Sequence, residues 1–290
     1  MNLFYTGFDE GGAKRLAVSH SLDDAPSPDC FSRHCHDGYE LLYVTQGEGR
    51  YVIEGEEYAL RANTLLLIPP HAFHYVKINF NKPYERYVVN FGEEIFSPEV
   101  RDCLDGMFSG AEQYGRFYQG ENTPALVGQS LFSLRETAGM SESAARCYAV
   151  SLLSTILLRL SVNAPVTSGR APVSLGSRVV RYLNAHLTEN ISLDTLAKNF
   201  FVSKFHLCRA FKEYNGVSVL QYITEKRVMY ARHLVERGET AVAAAAKAGF
   251  GDYSSFYRAH RRICGSAPRN NKKIPASQQS FGRKGGTALD

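Results

Sequence analysis

Two groups of side chains stand at intervals suited to reading nucleic acid. Lys204, Phe205, His206, Cys208 and Arg209 fall in the first two turns of an expected helix that Ser203 is placed to cap. Tyr253, Ser254, Ser255 and Arg258 hold the same place behind Asp252, the expected cap of a second helix. A guanidinium can donate to O6 and N7 of one guanine, which makes Arg209 the strongest candidate reader. Phe205 can meet a thymine methyl, whereas the small, weakly polar Cys208 should discriminate poorly. Lys212, Lys247, Arg261 and Arg262 are placed to hold phosphates, with a solvated basic face as the competing reading of any single one. No nucleophile–base arrangement and no phosphate-cradling glycine loop suggests catalysis.

The elements that must position these side chains come in two copies. The first reads ISLDTLAKNFFVSKFHLCRAFKEYNGVS: a helix opening behind Ser192 or Leu193 with Leu196 and Ala197 inward, a tight turn, then a helix with Leu207, Ala210, Phe211 and Tyr214 as its apolar stripe and Gly216 at its end. The second reads TAVAAAAKAGFGDYSSFYRAHRRICGSAP, with a turn at Gly249-Phe250-Gly251 and a helix to about Ile263. Each copy has the pattern of a helix-turn-helix, the arrangement that enters a major groove. Residues 217–237 between them predict one amphipathic helix with Leu220, Ile223, Val228, Ala231, Leu234 and Val235 inward. About 20 residues at roughly 1.5 Å each make a strut of about 30 Å, close to the roughly 34 Å between successive major grooves on one face of B-DNA.

The rear segment resembles the DNA-binding domain of the AraC-type bacterial transcription regulators. Leu196-Ala197, Val202-Ser203, Leu207, Arg209, Phe211-Lys212, Gly216, Arg227, Ala231, Leu234, Gly249-Phe250, Ser254, Phe256, Arg258, Gly265 and Pro268 carry the likeness. The resemblance places base-reading sites on Phe205, Cys208 and Arg209. Three departures fall in the second copy: Ala245 replaces the usual isoleucine, His260 the usual phenylalanine, and the aromatic and arginine expected after Pro268 are absent. Each loses core contacts worth about 1–3 kcal/mol, so the second unit is expected to be the looser.

Charge is divided along the 290 residues. Residues 1–173 hold 14 Lys and Arg against 21 Asp and Glu, whereas residues 174–270 hold 15 against 7. A basic rear half is expected if only that half meets phosphates. Six cysteines, at 30, 35, 103, 147, 208 and 264, include no CxxC pair, and the simplest account is free thiols in a reducing cytoplasm. No signal peptide and no apolar run near the 18 or so residues of a membrane span is read.

The front half turns β-rich after an arm over residues 1–30 that should hold one strand. Strands are expected at 39–45, 50–54, 57–60, 64–68, 74–78 and 84–91, with hairpin turns at Gly47-Glu48-Gly49 and Gly55-Glu56-Glu57. Such short runs suggest a small barrel or jelly roll. His34-x-His36-x3-Glu40-x6-Gly47 is similar to the first motif of the cupin sensing domain found in many AraC-type regulators, and Pro69 with His74 to part of the second. The leading glycine of each motif is missing, and His71 stands at an interior glycine position. The resemblance implies that His34, His36, Glu40 and His74 converge inside the barrel. Three readings stay open: organic-ligand contacts, a divalent metal, or structural polar groups. Tyr43, Arg50, Tyr51 and Tyr87 are expected to line the same cavity, and no metal or cofactor is assigned.

Helices are expected at 98–108, 123–138 (face Leu126, Val127, Ser130, Leu131, Leu134) and 141–162 (face Ala145, Tyr148, Leu152, Thr155, Ile156, Leu160), partly as a dimer surface, and a lead helix of the rear domain at 175–187. The expected architecture is α+β in two domains: a cupin-like β-barrel with trailing helices over 1–163, a linker over 164–173, an all-α double helix-turn-helix domain over 174–270, and a disordered tail over 271–290. The function read from this is a cytoplasmic, homodimeric, sequence-specific regulator of transcription. Double-stranded DNA, a small-molecule effector such as a sugar or carbon-source metabolite, and RNA polymerase are its expected partners; a membrane is not. A metal-dependent cupin enzyme with an appended DNA-binding domain is the alternative.

Overall fold

The computed structural model describes residues 2–10, 13–24, 26, 33–79, 81–108, 115–166, 174–236 and 238–268. The expectations for Cys30, for most of the linker and for residues 271–290 lie outside the described residues. The chain divides into two compact units, Met1–Ala171 and Pro172–Asp290.

In the front unit β1 (Asn2–Glu10), β2 (Ala13–Asp23), β3 (Tyr39–Gln46), β4 (Gly49–Ile53), β5 (Glu56–Leu60), β6 (Thr64–Ile68), β7 (His74–Ile78), β8 (Tyr84–Phe91) and β9 (Arg116–Gln119) form two antiparallel sheets. One is ordered β1-β2-β8-β3-β6-β9 and the other β5-β4-β7. The expected barrel is thus two separate ladders. The expected arm is a two-stranded hairpin whose β2 pairs along the full length of β8, and β9 was not expected.

Strand alternation sorts side chains into two cores. Leu41, Leu65, Leu67, Tyr87 and Val89 face the helices and join one cluster. Leu42, Val44, Leu66, Ile68, Tyr51, Ile53, Val76 and Phe117 face between the sheets and form the other. Each such side chain, fully buried, contributes about 1.5–3 kcal/mol. Val166, after the helices, donates its N–H to the Phe117 carbonyl at 2.7 Å and packs against this inter-sheet core.

The outer layer is α1 (Pro98–Met107), α2 (Leu126–Ser133) with a 3-10 continuation over Leu134–Gly139, and α3 (Glu142–Val162) behind its cap Ser141. The buried stripe of α3 is Ala145, Ala149, Leu153, Ile156, Leu157 and Leu160. Tyr148, Leu152 and Thr155, expected inward, are not buried. The helix is apolar on several sides, so more than one stripe satisfies the 3-4 spacing. Contrary to expectation, α3 is long and apolar enough by length and composition to cross a membrane. Its buried stripe nonetheless belongs to the core under the large sheet, which makes it a core helix.

The rear unit is helical: α4 (Leu175–Ala185), α5 (Leu193–Asn199), α6 (Lys204–Asn215), α7 (Val219–Glu236), α8 (Ala241–Lys247) and α9 (Tyr253–Cys264). Ser174, Ser192, Ser203, Thr240 and Asp252 each accept the backbone N–H three residues on, capping the helix that follows; such caps are worth about 1 kcal/mol each. Gly216 and Gly265 close α6 and α9 in the left-handed conformation at φ 78° and 72°. A Cβ on Gly176 would stand 2.3 Å from that of Tyr214, so glycine is what lets α4 lie against α6. Along α7, Val219, Tyr222, Ile223, Val228, Met229, Ala231 and Val235 are buried, while Leu220, expected inward, is exposed.

Candidate functional site

The helix expected to read bases in the first copy, α6, is held by Leu207, Phe211 and Asn215 on its buried side. The opposite side leaves Lys204, Phe205, His206, Arg209 and Lys212 exposed, with Cys208 half-buried at the margin. Lys204 pairs with Asp194 at 2.7 Å and Arg209 lies 3.7 Å from Glu213, both on the surface, where such pairs hold side chains only weakly. Phe201, in the turn ahead of α6, adopts φ 55° and is 94% exposed.

In the second unit Phe256, Ala259 and His260 are the buried side of α9, and Tyr253, Ser254, Arg258, Arg261 and Arg262 are exposed. Ser255 is committed to the cap: its Oγ donates to Asp252 at 2.8 Å and accepts from Arg258 at 3.2 Å. Lys247 pairs with Glu239. The core here is largely alanine, with Ala231, Ala244, Ala245 and Ala248 around Phe256. His260 fills the remaining place, its Nδ1 donating to the Ser266 carbonyl at 2.9 Å, and burial lowers its pKa.

One residue that the reading of chemistry passed over joins the two units. Arg227, midway along α7, donates to the carbonyls of Leu187 (2.8 Å), Gly249 (2.7 Å) and Glu189 (2.5 Å). Leu187 and Glu189 precede the first helix-turn-helix and Gly249 is the turn of the second. Gly249 approaches so closely that a Cβ would meet the Thr188 carbonyl oxygen at 2.7 Å, and its φ is 87°. The sequence signal was an arginine at i+4 and i−4 from buried Ile223 and Ala231, on a stripe otherwise apolar.

The front unit brings His34, His36, Glu40 and His74 together, with one donor atom from each within 4.8 Å of all the others. Register explains this. His34 and His74 exchange both backbone hydrogen bonds, at 3.0 and 2.9 Å, so they are directly opposed and project to one face. His36, two residues on, shares that face, and Glu40 reaches in from β3 of the other sheet. His36 Nδ1 donates to the Gly38 carbonyl and His74 Nδ1 to that of Ala72, each at 2.8 Å. Both rings therefore turn Nε2 toward Glu40, at 3.1 Å from His36 and 3.8 Å from His74. The Tyr51 hydroxyl donates to the other Glu40 oxygen at 3.1 Å.

Burial would raise the Glu40 carboxyl, yet the hydrogen bond and charge of His36 hold it well below the usual carboxylate range. His36 is correspondingly raised despite its own burial, and His74 is pushed down to about 3 by burial. His71 takes φ 61°, which accounts for the glycine that the cupin motif has there.

Three residues expected to stand with this cluster are elsewhere. Tyr43 and Tyr87 face the helices: Tyr43 lies over Gly128 of α2 and donates to Asn63 at 2.9 Å, and Tyr87 stacks on His20 at 4.1 Å. Arg50 points outward to Glu57 at 3.2 Å. Tyr43 is an odd step from Glu40, and Arg50 from Tyr51, so strand parity excludes both. His20, bonded to Glu85 at 2.8 Å under the helical layer, was not foreseen.

Two folded parts of different kinds, a sheet domain with an interior polar cluster and a capped double helix-turn-helix, define a transcription regulator with separate ligand-binding and DNA-binding domains. The AraC-like ligand binding domain family matches residues 20–146 and a helix-turn-helix domain family residues 196–273. The chain belongs to the AraC-type transcription regulators. It is similar to the HTH-type transcriptional activator RhaS of Escherichia coli, 23% identical over 88% of this chain and 96% of that one. RhaS of Salmonella arizonae is 26% identical over the same shares. Among solved structures, ToxT from Vibrio cholerae matches at TM-score 0.35 and 12% identity, over 88% of this chain and 97% of that one. These relatives, matched along most of their length, are named as activators of transcription, which supports a regulator over the enzyme alternative.

Proposed function

We propose that the protein is a cytoplasmic, homodimeric activator that binds double-stranded promoter DNA through two adjacent major grooves. In this reading Phe205 and Arg209 on α6, and Tyr253, Ser254 and Arg258 on α9, meet base edges, while Lys212, Arg261 and Arg262 meet phosphates. The observation that carries it is the Arg227 hub, which ties the turn of the second unit to the segment ahead of the first and so makes both reading helices parts of one body. Exposed Leu158 and Val162 on α3, with Phe132 on α2, support α3 as the dimer surface. Activation, the activity named for the relatives, implies contact with RNA polymerase. The effector is a small molecule held between the sheets beside the imidazoles and Tyr51.

Selection of genomic fragments by the purified protein, followed by retardation assays across salt, tests this. Arg209→Ala should weaken binding about 10- to 100-fold and relax preference at one base position. Lys212→Ala should weaken all sequences alike and make the salt slope shallower by about one. Equal losses for Arg209→Ala on selected and random DNA would remove Arg209 from the reading set. Failure of any genomic fragment to be retarded would remove the function.

A further inference from the structure

The helices α5 and α8 end in the same way, with one difference. Behind α5 the Phe201 N–H donates to Lys198 and the Val202 N–H to Ala197, each at 3.1 Å. Behind α8 the Gly249 N–H donates to Ala246 at 3.0 Å and the Phe250 N–H to Ala245 at 3.1 Å. One helix-closing turn is thus built twice, and its left-handed step falls on Gly249 at φ 87° and on Phe201 at φ 55°. Glycine takes that step at no steric cost, whereas a phenylalanine there is an outlier. The Thr188 carbonyl excludes a Cβ at Gly249; behind α5 the space is open, which admits a ring. Strain held at a single residue points to a task outside the turn. That task is not packing. Phe201 is 94% exposed and Phe205, four residues on, is 76% exposed, the two most exposed large apolar side chains among the described residues of the rear unit.

We propose that Phe201 is a specificity-determining residue of the first unit, its ring covering the methyl of a thymine beside the one that Phe205 meets. The inference rests on α6 as a base-reading helix, the function proposed above. Ser203 caps α6, so Phe201 stands two residues ahead of the cap and Phe205 is the second residue of the helix. Helical side chains lean toward the N-terminus of their helix, which directs Phe205 back toward the turn that carries Phe201. That end of a recognition helix leads into the major groove. An aromatic ring gains nothing from phosphates or from the donors and acceptors of base edges. The apolar group that base pairs present in this groove is the C5-methyl of thymine. Two neighbouring methyls, read from the turn and from the first turn of α6, then accompany the guanine assigned to Arg209. Each ring shields one methyl from water, so loss of that methyl should weaken binding about four-fold.

Deoxyuridine scanning tests the proposal. A site selected from genomic fragments by the purified full chain is synthesised with each thymine in turn replaced by deoxyuridine, which removes the methyl and nothing else. Retardation by the parent chain should weaken about four-fold at two thymines in adjoining base pairs. Phe201→Gly keeps the left-handed step and removes the ring; one of the two sensitivities should vanish and the other stay, with circular dichroism unchanged. Phe205→Ala should show the reverse. Phe201→Leu keeps an apolar contact and should keep both. Fewer than two sensitive thymines in the parent chain, whether or not any variant folds, would overturn the proposal and leave α6 as a reading helix. Both sensitivities intact in folded Phe201→Gly would do the same, and would assign the exposed ring to something other than DNA. Failure of the parent chain to retard any fragment would remove the regulatory reading, and this inference with it.

Discussion

Replacing Arg227 with methionine keeps the aliphatic stem against α7 and removes three hydrogen bonds from one guanidinium. Bonds from a charged donor contribute about 1.5–3 kcal/mol each. Arg227 is only half-buried, and water can reach the freed carbonyls, so about 1 kcal/mol each is the better figure. The helical unit should therefore lose about 3 kcal/mol. For a domain of under 100 residues this lowers the melting temperature by about 10–20 °C. Arg227→Lys keeps the charge, but an ammonium cannot serve three divergent carbonyls and should recover only about 1 kcal/mol. Calorimetry of the full chain reads both values in the transition of the rear unit, while the front-unit transition stays in place. Operator affinity should fall with stability, because freeing Gly249 from Leu187 and Glu189 loosens the second reading helix relative to the first. A rear-unit melting temperature within 2 °C of the parent for Arg227→Met, or full recovery by lysine, would show that the guanidinium does not hold the units together.

Two further outcomes are expected. His260 has its pKa lowered in the folded chain by burial, relative to the usual 6.5. The stability it contributes is thus present above pH 6.5 and is lost as pH falls below that value, since only the unfolded chain takes the proton readily; urea midpoints of the rear unit should drop from pH 7.5 to 5.5, and His260→Phe should flatten the curve. Phe201 holds a left-handed conformation unusual for a bulky side chain while 94% exposed, so Phe201→Asn should raise the melting temperature by the equivalent of about 1 kcal/mol. A lower melting temperature for that variant would mean that the aromatic ring packs in solution.

The rear unit was legible because its signals are local. Caps at Ser192, Ser203 and Asp252 and the left-handed closure at Gly216 are fixed by a few neighbouring residues, and the structure has each where the sequence placed it. The convergence of His34, His36, Glu40 and His74 was carried by the cupin likeness, since nothing local tells His74 that it will lie opposite His34. Misplacement of Tyr43, Tyr87 and Arg50 had a different origin, for the strands themselves were bounded to within one residue. Counting parity from Glu40 and Tyr51 would have set Tyr43 and Arg50 on other faces, whereas the face of Tyr87 depends on how β8 pairs with β3. The stripe of α3 was ambiguous in principle, because leucine, valine and isoleucine on several sides satisfy more than one register. β9, four residues of mixed character, has no alternation long enough to declare itself.

Val166 gives the connector an anchorage that its composition conceals. The strand-like bond to Phe117 fastens the departing backbone to the margin of the large sheet, and the valine side chain is wedged into the layer that also surrounds Tyr51 and Ile53. An occupant that shifted the two ladders relative to one another would act on the root of the tether through Phe117 and Val166.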